Sequence, residues 1–167
     1  RNTMAVVLAH IEENIALALP LLDGYVRGSK TEIDLSVAQG IAARYYLFTQ
    51  QWEKAADMAN KAAAGYALMD NARLHAGFNE IDDPEVMWGF NHTTETMTSY
   101  ASFFSHMCND ASGYAGVGQM IKCIDKSLYD QIPATDYRKT LFNSPEGDPT
   151  AAAVGAKHPY ASRKFGM

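Results

Sequence analysis

Few side chains in this sequence are spaced as a reactive or ligating set would be, and each set points to a different chemistry. His10 and Glu13, three apart, would share a helix face and could offer two ligands to a metal. The run GYAGVG, Gly113 to Gly118, has the glycine density of a loop that cradles phosphate. Asp82 and Asp83 are adjacent carboxylates, and Asp136 and Arg138 are a charge pair two apart. None completes a reactive constellation. Two ligands without a third leave a solvated pair, and GYAGVG lacks the GK[ST] ending and a preceding parallel strand, so a flexible loop is expected there. His75, His92, His106 and His158 show neither HExxH nor HxH spacing, and no serine or cysteine sits in a nucleophile elbow. Asp82-Asp83-Pro84 is a turn signal, while Asp136 and Arg138 are expected to fix the chain after the Met120 to Tyr129 helix by a buried or partly buried ion pair, or by a helix cap. No catalytic residue, no metal site and no cofactor is therefore predicted.

Composition narrows the class. The 167 residues are 47% hydrophobic and 20% charged, enough for one domain with a real core. A net charge of −5, with the 14 basic residues scattered, argues against a nucleic-acid binder, which needs a clustered basic surface. The longest apolar runs, such as Met4 to Ala9, fall short of the roughly 20 residues a membrane helix needs, so no span is expected. Cys108 and Cys123 fit either one disulfide or two free thiols. The start at Arg1 reads as processed, trimmed or engineered.

The elements that would position these residues are mostly helical. Met4, Val7, Leu8, Ile11, Ile15, Leu19 and Leu22 give a helix over 4–22, ended by Pro20 and Gly24, with Leu17 on a partly covered opposite face. Residues 24–35 read as a linker, and a second helix is expected from Ser36. Ala38, Ile41, Ala42, Tyr45 and Tyr46 stripe one helix to Thr49. Ala55, Ala56, Ala59, Ala62 and Ala63 stripe another from Trp52 to Ala64. Gln50-Gln51 is too short a joint for anything but an antiparallel hairpin, with Tyr46 and Trp52 expected to fill the space at its turn. Val86, Trp88 and Phe90 alternate as in a short strand, 93–118 reads as a long ordered loop, Met120 to Tyr129 as a helix, and 143–159 as loop or linker.

The order Ala43, Tyr46, Trp52, Ala55, Ala59, Ala62 resembles one tetratricopeptide repeat, without a second clear copy at the usual period of about 34 residues. More of the chain is covered by a further likeness. AQGIAARYYLFTQQWEKAADMANKAAAGYAL, DPEVMWGF, YDQIPATDYRKTLF and ASRKF, in that order, resemble the SusD/RagB family of outer-membrane lipoproteins. Ala43 to Leu47 matches its A-R-x-Y-L helix, Trp52 to Ala55 its W-x-x-A helix, Glu85 to Phe90 its strand, and Asp136 and Arg138, with Phe142 following, its Asp-x-Arg before an aromatic.

That resemblance implies a mainly α fold of tetratricopeptide-like helical hairpins with long irregular loops and a short strand. Residues 1–167 would be a single SusD-like domain and an internal part of a longer chain, with a helical repeat part over 4–64 and a loop-rich part over 65–167. It implies a nutrient-binding lipoprotein on the surface of Bacteroidetes cells, non-catalytic, binding glycans or oligosaccharides and delivering them to a SusC-like TonB-dependent transporter. A membrane attachment would run through a lipid anchor absent from this sequence. A glycan site needs exposed aromatics beside polar groups, and the loop from 91 to 118 offers Asn91, His92, Tyr100, Phe103, Phe104 and Tyr114. Tyr46, Trp52, Asp136 and Arg138 are expected to be structural. Two other readings stand beside this one: a tetratricopeptide-type protein-interaction domain, its exposed surface along the Val37 to Thr49 helix, and a hydrolase, which needs a cleft with two carboxylates at catalytic separation.

Overall fold

A computed structural model describes residues 2–78, 80–91, 102–111 and 113–165. Its elements are α1 (Met4–Leu21), α2 (Leu35–Phe48), α3 (Trp52–Ala63), α4 (Asn71–His75), α5 (Phe103–Met107) and α6 (Lys126–Gln131), then 3₁₀ turns at Tyr137–Leu141 and Gly155–Lys157. The fold is mainly helical. It divides into two compact units, Arg1–Leu68 with Pro84–Asn91, and Met69–Asp83 with His92–Met167.

The first unit is built on the α2/α3 hairpin. Asp34 caps α2 by accepting the Val37 N–H at 2.9 Å, which satisfies a donor that has no partner inside the helix. Ala42, fully buried, lets α3 approach closely, and with Ile15, Tyr46 and Ala55 it forms a core against which Leu19, Tyr45 and Met58 pack. The hairpin joint is a Schellman closure. The Gln51 N–H reaches back to Tyr46 O at 2.8 Å, the Gln50 N–H to Leu47 O at 3.2 Å, and Gln50 takes a left-handed φ of 61°. α1 is tied to α2 by the Tyr45 hydroxyl, which donates to Leu8 O at 3.0 Å.

Several expectations are corrected here. Trp52 is 60% exposed and so does not fill the turn, whereas Tyr46 is buried. On α3 only Ala55 and Ala62, two turns apart, are buried; Ala56, Ala59 and Ala63 face outward. Leu17 is exposed, and Pro20 lies inside α1, in its last turn. By length and composition α1 is long and apolar enough to cross a membrane, 18 residues at a mean hydropathy of 1.5. Counting uninterrupted runs misses this because Glu12 and Glu13 break the run. Its buried Ile15 and its link to Tyr45 make it part of the scaffold.

The segment 84–91 forms no strand. It is pinned to the first unit by single bonds: the Gly89 N–H donates to Lys30 O at 3.1 Å and the Arg27 guanidinium to Met87 O at 2.6 Å. Arg27 also pairs with Asp34 at 3.0 Å and donates to the Tyr66 hydroxyl at 2.8 Å, so one half-buried cation gathers the linker, the cap of α2 and the end of the hairpin. Burial alone would raise the Asp34 pKa, but the Val37 amide, the Ser36 hydroxyl and Arg27 outweigh it and hold the carboxyl below its ordinary value.

Among its described residues the second unit has little regular structure and is organised by backbone contact. Residues 160–163 run between two other segments. The Ser162 N–H donates to Lys122 O at 2.7 Å, the Ile124 N–H to Tyr160 O, and the Arg163 N–H to Leu141 O at 2.8 Å, with antiparallel bridges Cys123 to Ala161 and Phe142 to Ser162. Buried Asn109 locks the same junction, donating to Lys122 O and Ser162 O and accepting the Lys122 N–H. Chain crosses chain at Gly116 and Gly155, where an added Cβ would meet Ala111 O at 1.5 Å and Ala115 O at 2.0 Å, respectively. The expected 120–129 helix is shifted to Lys126–Gln131 because Asp125 caps it through the Ser127 N–H at 2.8 Å. Cys108 and Cys123 are both free, the first buried and the second exposed.

Candidate functional site

The motifs that carried sharper chemistry do not assemble. His10 Nδ1 lies 3.6 Å from Glu13 Oε2 on an exposed helix face. Among the described residues no three His, Cys, Asp or Glu side chains come together as a metal-ligand set. GYAGVG is a packed turn, with Gly113, Ala115 and Gly116 buried. The amides of Gly113, Tyr114, Ala115, Val117 and Gly118 all donate to the chain itself, leaving no row of N–H groups to hold a phosphate. Asp83, buried, pairs with Arg73. Asp136 accepts the Arg138 N–H at 3.0 Å, capping the turn that follows, and its carboxylate takes both Nε and an Nη of Arg138. The expected burial of the pair holds only for Asp136, 23% exposed; Arg138 is solvent-facing, with its side chain 79% exposed, because its long stem carries the guanidinium back over an exposed turn.

The aromatic candidates divide. Asn91 is exposed and belongs to the first unit; Phe103, Phe104 and Tyr114 belong to the second; His92 and Tyr100 lie outside the described residues. Ser102 caps α5 by accepting the Ser105 N–H, which sets Phe103 at the start of the helix, 55% exposed. Its ring stands edge-on to Phe104 at 5.7 Å and to Phe165 at 5.2 Å. Tyr114 is half-buried, its ring tilted against His106 at 5.2 Å.

The structure adds a second aromatic surface where sequence reading placed a strand. Trp88 and Phe90 lie side by side, ring centroids 5.4 Å apart, 39% and 71% exposed, with Asn91 next in sequence. The indole Nε1–H donates to Thr31 O at 3.2 Å, which fixes the plane of the ring. Alternation with Met87 and Gly89 was the available signal; without partner strands, it leaves the rings on the surface.

The second unit also holds a cleft of about 450 Å³. Its polar wall is His75, Asp110, Thr140, Asn143 and Arg163, and its apolar wall is Ala76, Ala152 and Ala153. Arg163 is placed by its backbone bond to Leu141 and holds Asp110 through two bonds of 3.1 Å and Asp148 through another of 3.1 Å. Asp148 sits below its ordinary pKa, chiefly through the Thr150 hydroxyl and amide, with Arg163 adding to the effect. His75, in the last turn of α4, bonds Thr140 Oγ1 at 2.8 Å and stands edge-on to Tyr137. Asp70 caps α4 through the Arg73 N–H at 2.7 Å. Nothing in the spacing of these residues marks the cleft in the sequence.

No family model and no curated protein matches this sequence. Among solved structures, the chain is similar to a SusD-like carbohydrate binding protein from Bacteroides vulgatus ATCC 8482, known from a crystal structure at 1.70 Å resolution. The two share 30% sequence identity and superpose with a TM-score of 0.77 over 98% of this chain. The chain spans about a third of that protein's length, 34%.

Proposed function

We propose, on the premise that this is a SusD-like chain, that it binds glycans or oligosaccharides without catalysis. In that role it is part of a surface nutrient-binding lipoprotein of the bacterial outer membrane that passes its ligand to a SusC-like TonB-dependent transporter. The observation that carries the reading is the 30% identity, over 98% of this chain, to a carbohydrate binding protein of the same fold. The surface chemistry suits it. Sugar rings offer C–H faces to aromatic planes and hydroxyls to polar side chains. Trp88 and Phe90 beside Asn91 supply both, as do exposed Phe103 and the Tyr114–His106 pair.

Catalysis finds no support in the cleft. Glycoside hydrolysis needs two carboxyl groups, one of them a proton donor at working pH. Asp110, the carboxylate on the cleft wall, is bound by Arg163, and neighbouring Asp148 has its pKa lowered, the wrong direction for an acid. The alternative, a tetratricopeptide-type protein-interaction domain, is favoured by one observation: Ile41, Leu47 and Phe48 of α2 are 44%, 58% and 68% exposed.

Affinity electrophoresis through gels containing different polysaccharides separates these readings. One glycan is expected to retard the protein, and Tyr100→Ala or Tyr114→Ala to weaken retardation at least fivefold. Binding unchanged in both variants would remove the 91–118 loop from the site, and capture of a protein by the α2 face with no glycan retardation would favour the alternative.

A further inference from the structure

The open hydrogen-bonding positions of the cleft define what can fill it. Asn143 is 8% exposed, and its Nδ2 donates to Ala156 O at 2.6 Å and His158 O at 2.9 Å. Both partners are carbonyls, so the amide has one possible orientation, and Oδ1 is left as an acceptor without a partner among the described residues. Thr140 spends its one hydroxyl hydrogen on Tyr137 O at 2.6 Å. The 2.8 Å contact to His75 must therefore be donated by Nε2–H, which leaves Nδ1 of the neutral ring as an acceptor that no described residue meets. Asp110 gives each oxygen to Arg163 but keeps further lone pairs. On these three side chains what remains open is an acceptor, while Arg163, with three of its five N–H groups on Asp110 and Asp148, keeps donors as well.

Charge narrows the ligand further. The single positive charge of Arg163 is matched by Asp110 and outweighed once Asp148 is counted, so no cation is spare for a carboxylate, sulfate or phosphate. To meet these acceptors the occupant must bring donors, it must accept from Arg163 without a full negative charge, and its groups must therefore both donate and accept. Hydroxyl groups on a neutral sugar do this, and the methyls of Ala76, Ala152 and Ala153 give its C–H edge an apolar wall. A volume of about 450 Å³ lies within the roughly 300–1,000 Å³ usual for small-molecule sites.

We propose that this cleft is a subsite for one neutral sugar unit, held edge-on through its hydroxyls by Asn143 Oδ1, His75 Nδ1 and Asp110. This rests on the glycan-binding reading and adds to it a place and a selection by charge. Sugar units carrying uronate, sulfate or phosphate are turned away from this position.

Amide shifts of the isotope-labelled protein, titrated with methyl glucoside, methyl mannoside, methyl galactoside and xylose, test it. Glucuronate and inorganic phosphate are the anionic arms. At least one neutral sugar is expected to shift the amides of Ala76, Thr140, Asn143 and Ala153, and the anions to leave them in place. Ala153→Trp fills the cleft while keeping every hydrogen bond of Asn143 and Arg163, and is expected to weaken that binding at least tenfold. Ala152→Trp serves the same end if the first variant does not fold. Shifts confined to other residues, equal binding by a folded Trp variant, or shifts of the same amides by an anion would overturn the subsite. If polysaccharide still retards the protein in those cases, the glycan reading survives alone; if no sugar or polysaccharide binds anywhere, both fall.

Discussion

At the scale of single residues, the polar side chains of this protein mostly hold backbone. Asp136 holds the Arg138 N–H and, more strongly, the Arg138 guanidinium. The Arg138 side chain, then the Arg138 backbone N–H, hold its carboxyl down to about 2, against an ordinary 3.8. A folded-state pKa below the unfolded one means that the fold stabilises the ionised form. That contribution is complete above about pH 4 and is lost as the pH falls toward 2. Melting temperatures across that window are expected to fall less steeply for Asp136→Asn than for the wild type; parallel slopes would show that the cap carries no linkage. The pairing of Asp136 with Arg138 was legible from two letters, because a cap of this kind is local in sequence. Asn109 and Asn143 were not legible. Their partners lie 13 to 53 positions away, and an asparagine that bridges distant carbonyls looks in sequence like any turn residue.

At the scale of elements, what could be read depended on whether the determinants were local. α2 and α3 follow from alanine spacing and a two-glutamine joint, and their expected ends differ from the observed ones by about a residue. The short helices α4 and α5 begin at Asp70 and Ser102, each a capping residue that gives its own signal, but five residues are too few for periodicity to show. Trp52 was misplaced because an aromatic at a turn reads the same whether it packs inward or stands in solvent. The Schellman closure yields a prediction. Gln50 at φ 61° bears the steric cost that a glycine avoids. Gln50→Gly is expected to raise hairpin stability by about 0.5 kcal/mol, the relief of strain exceeding the added freedom of the unfolded chain. Urea denaturation would check this, and a loss of stability would mean that the Gln50 side chain contributes contacts of its own.

At the scale of the whole molecule, the two units offer different surfaces. The first presents helices and the Trp88–Phe90 pair, while the second presents a polar cleft and the aromatics around α5. The mainly α fold and the family likeness could be read from separated sequence pieces, because each piece is a local pattern and their order adds specificity. The cleft could not, since His75, Asp110, Asn143 and Arg163 meet only after the chain has crossed itself at Gly116 and Gly155. Whether the molecule binds a glycan without cleaving it is decided by one paired measurement. The protein is incubated with the polysaccharide that best retards it, and bound protein and newly released reducing ends are followed together. Saturable binding is expected, with reducing ends at the level of the protein-free control over many hours; release that grows with time and protein concentration would instead show a hydrolase.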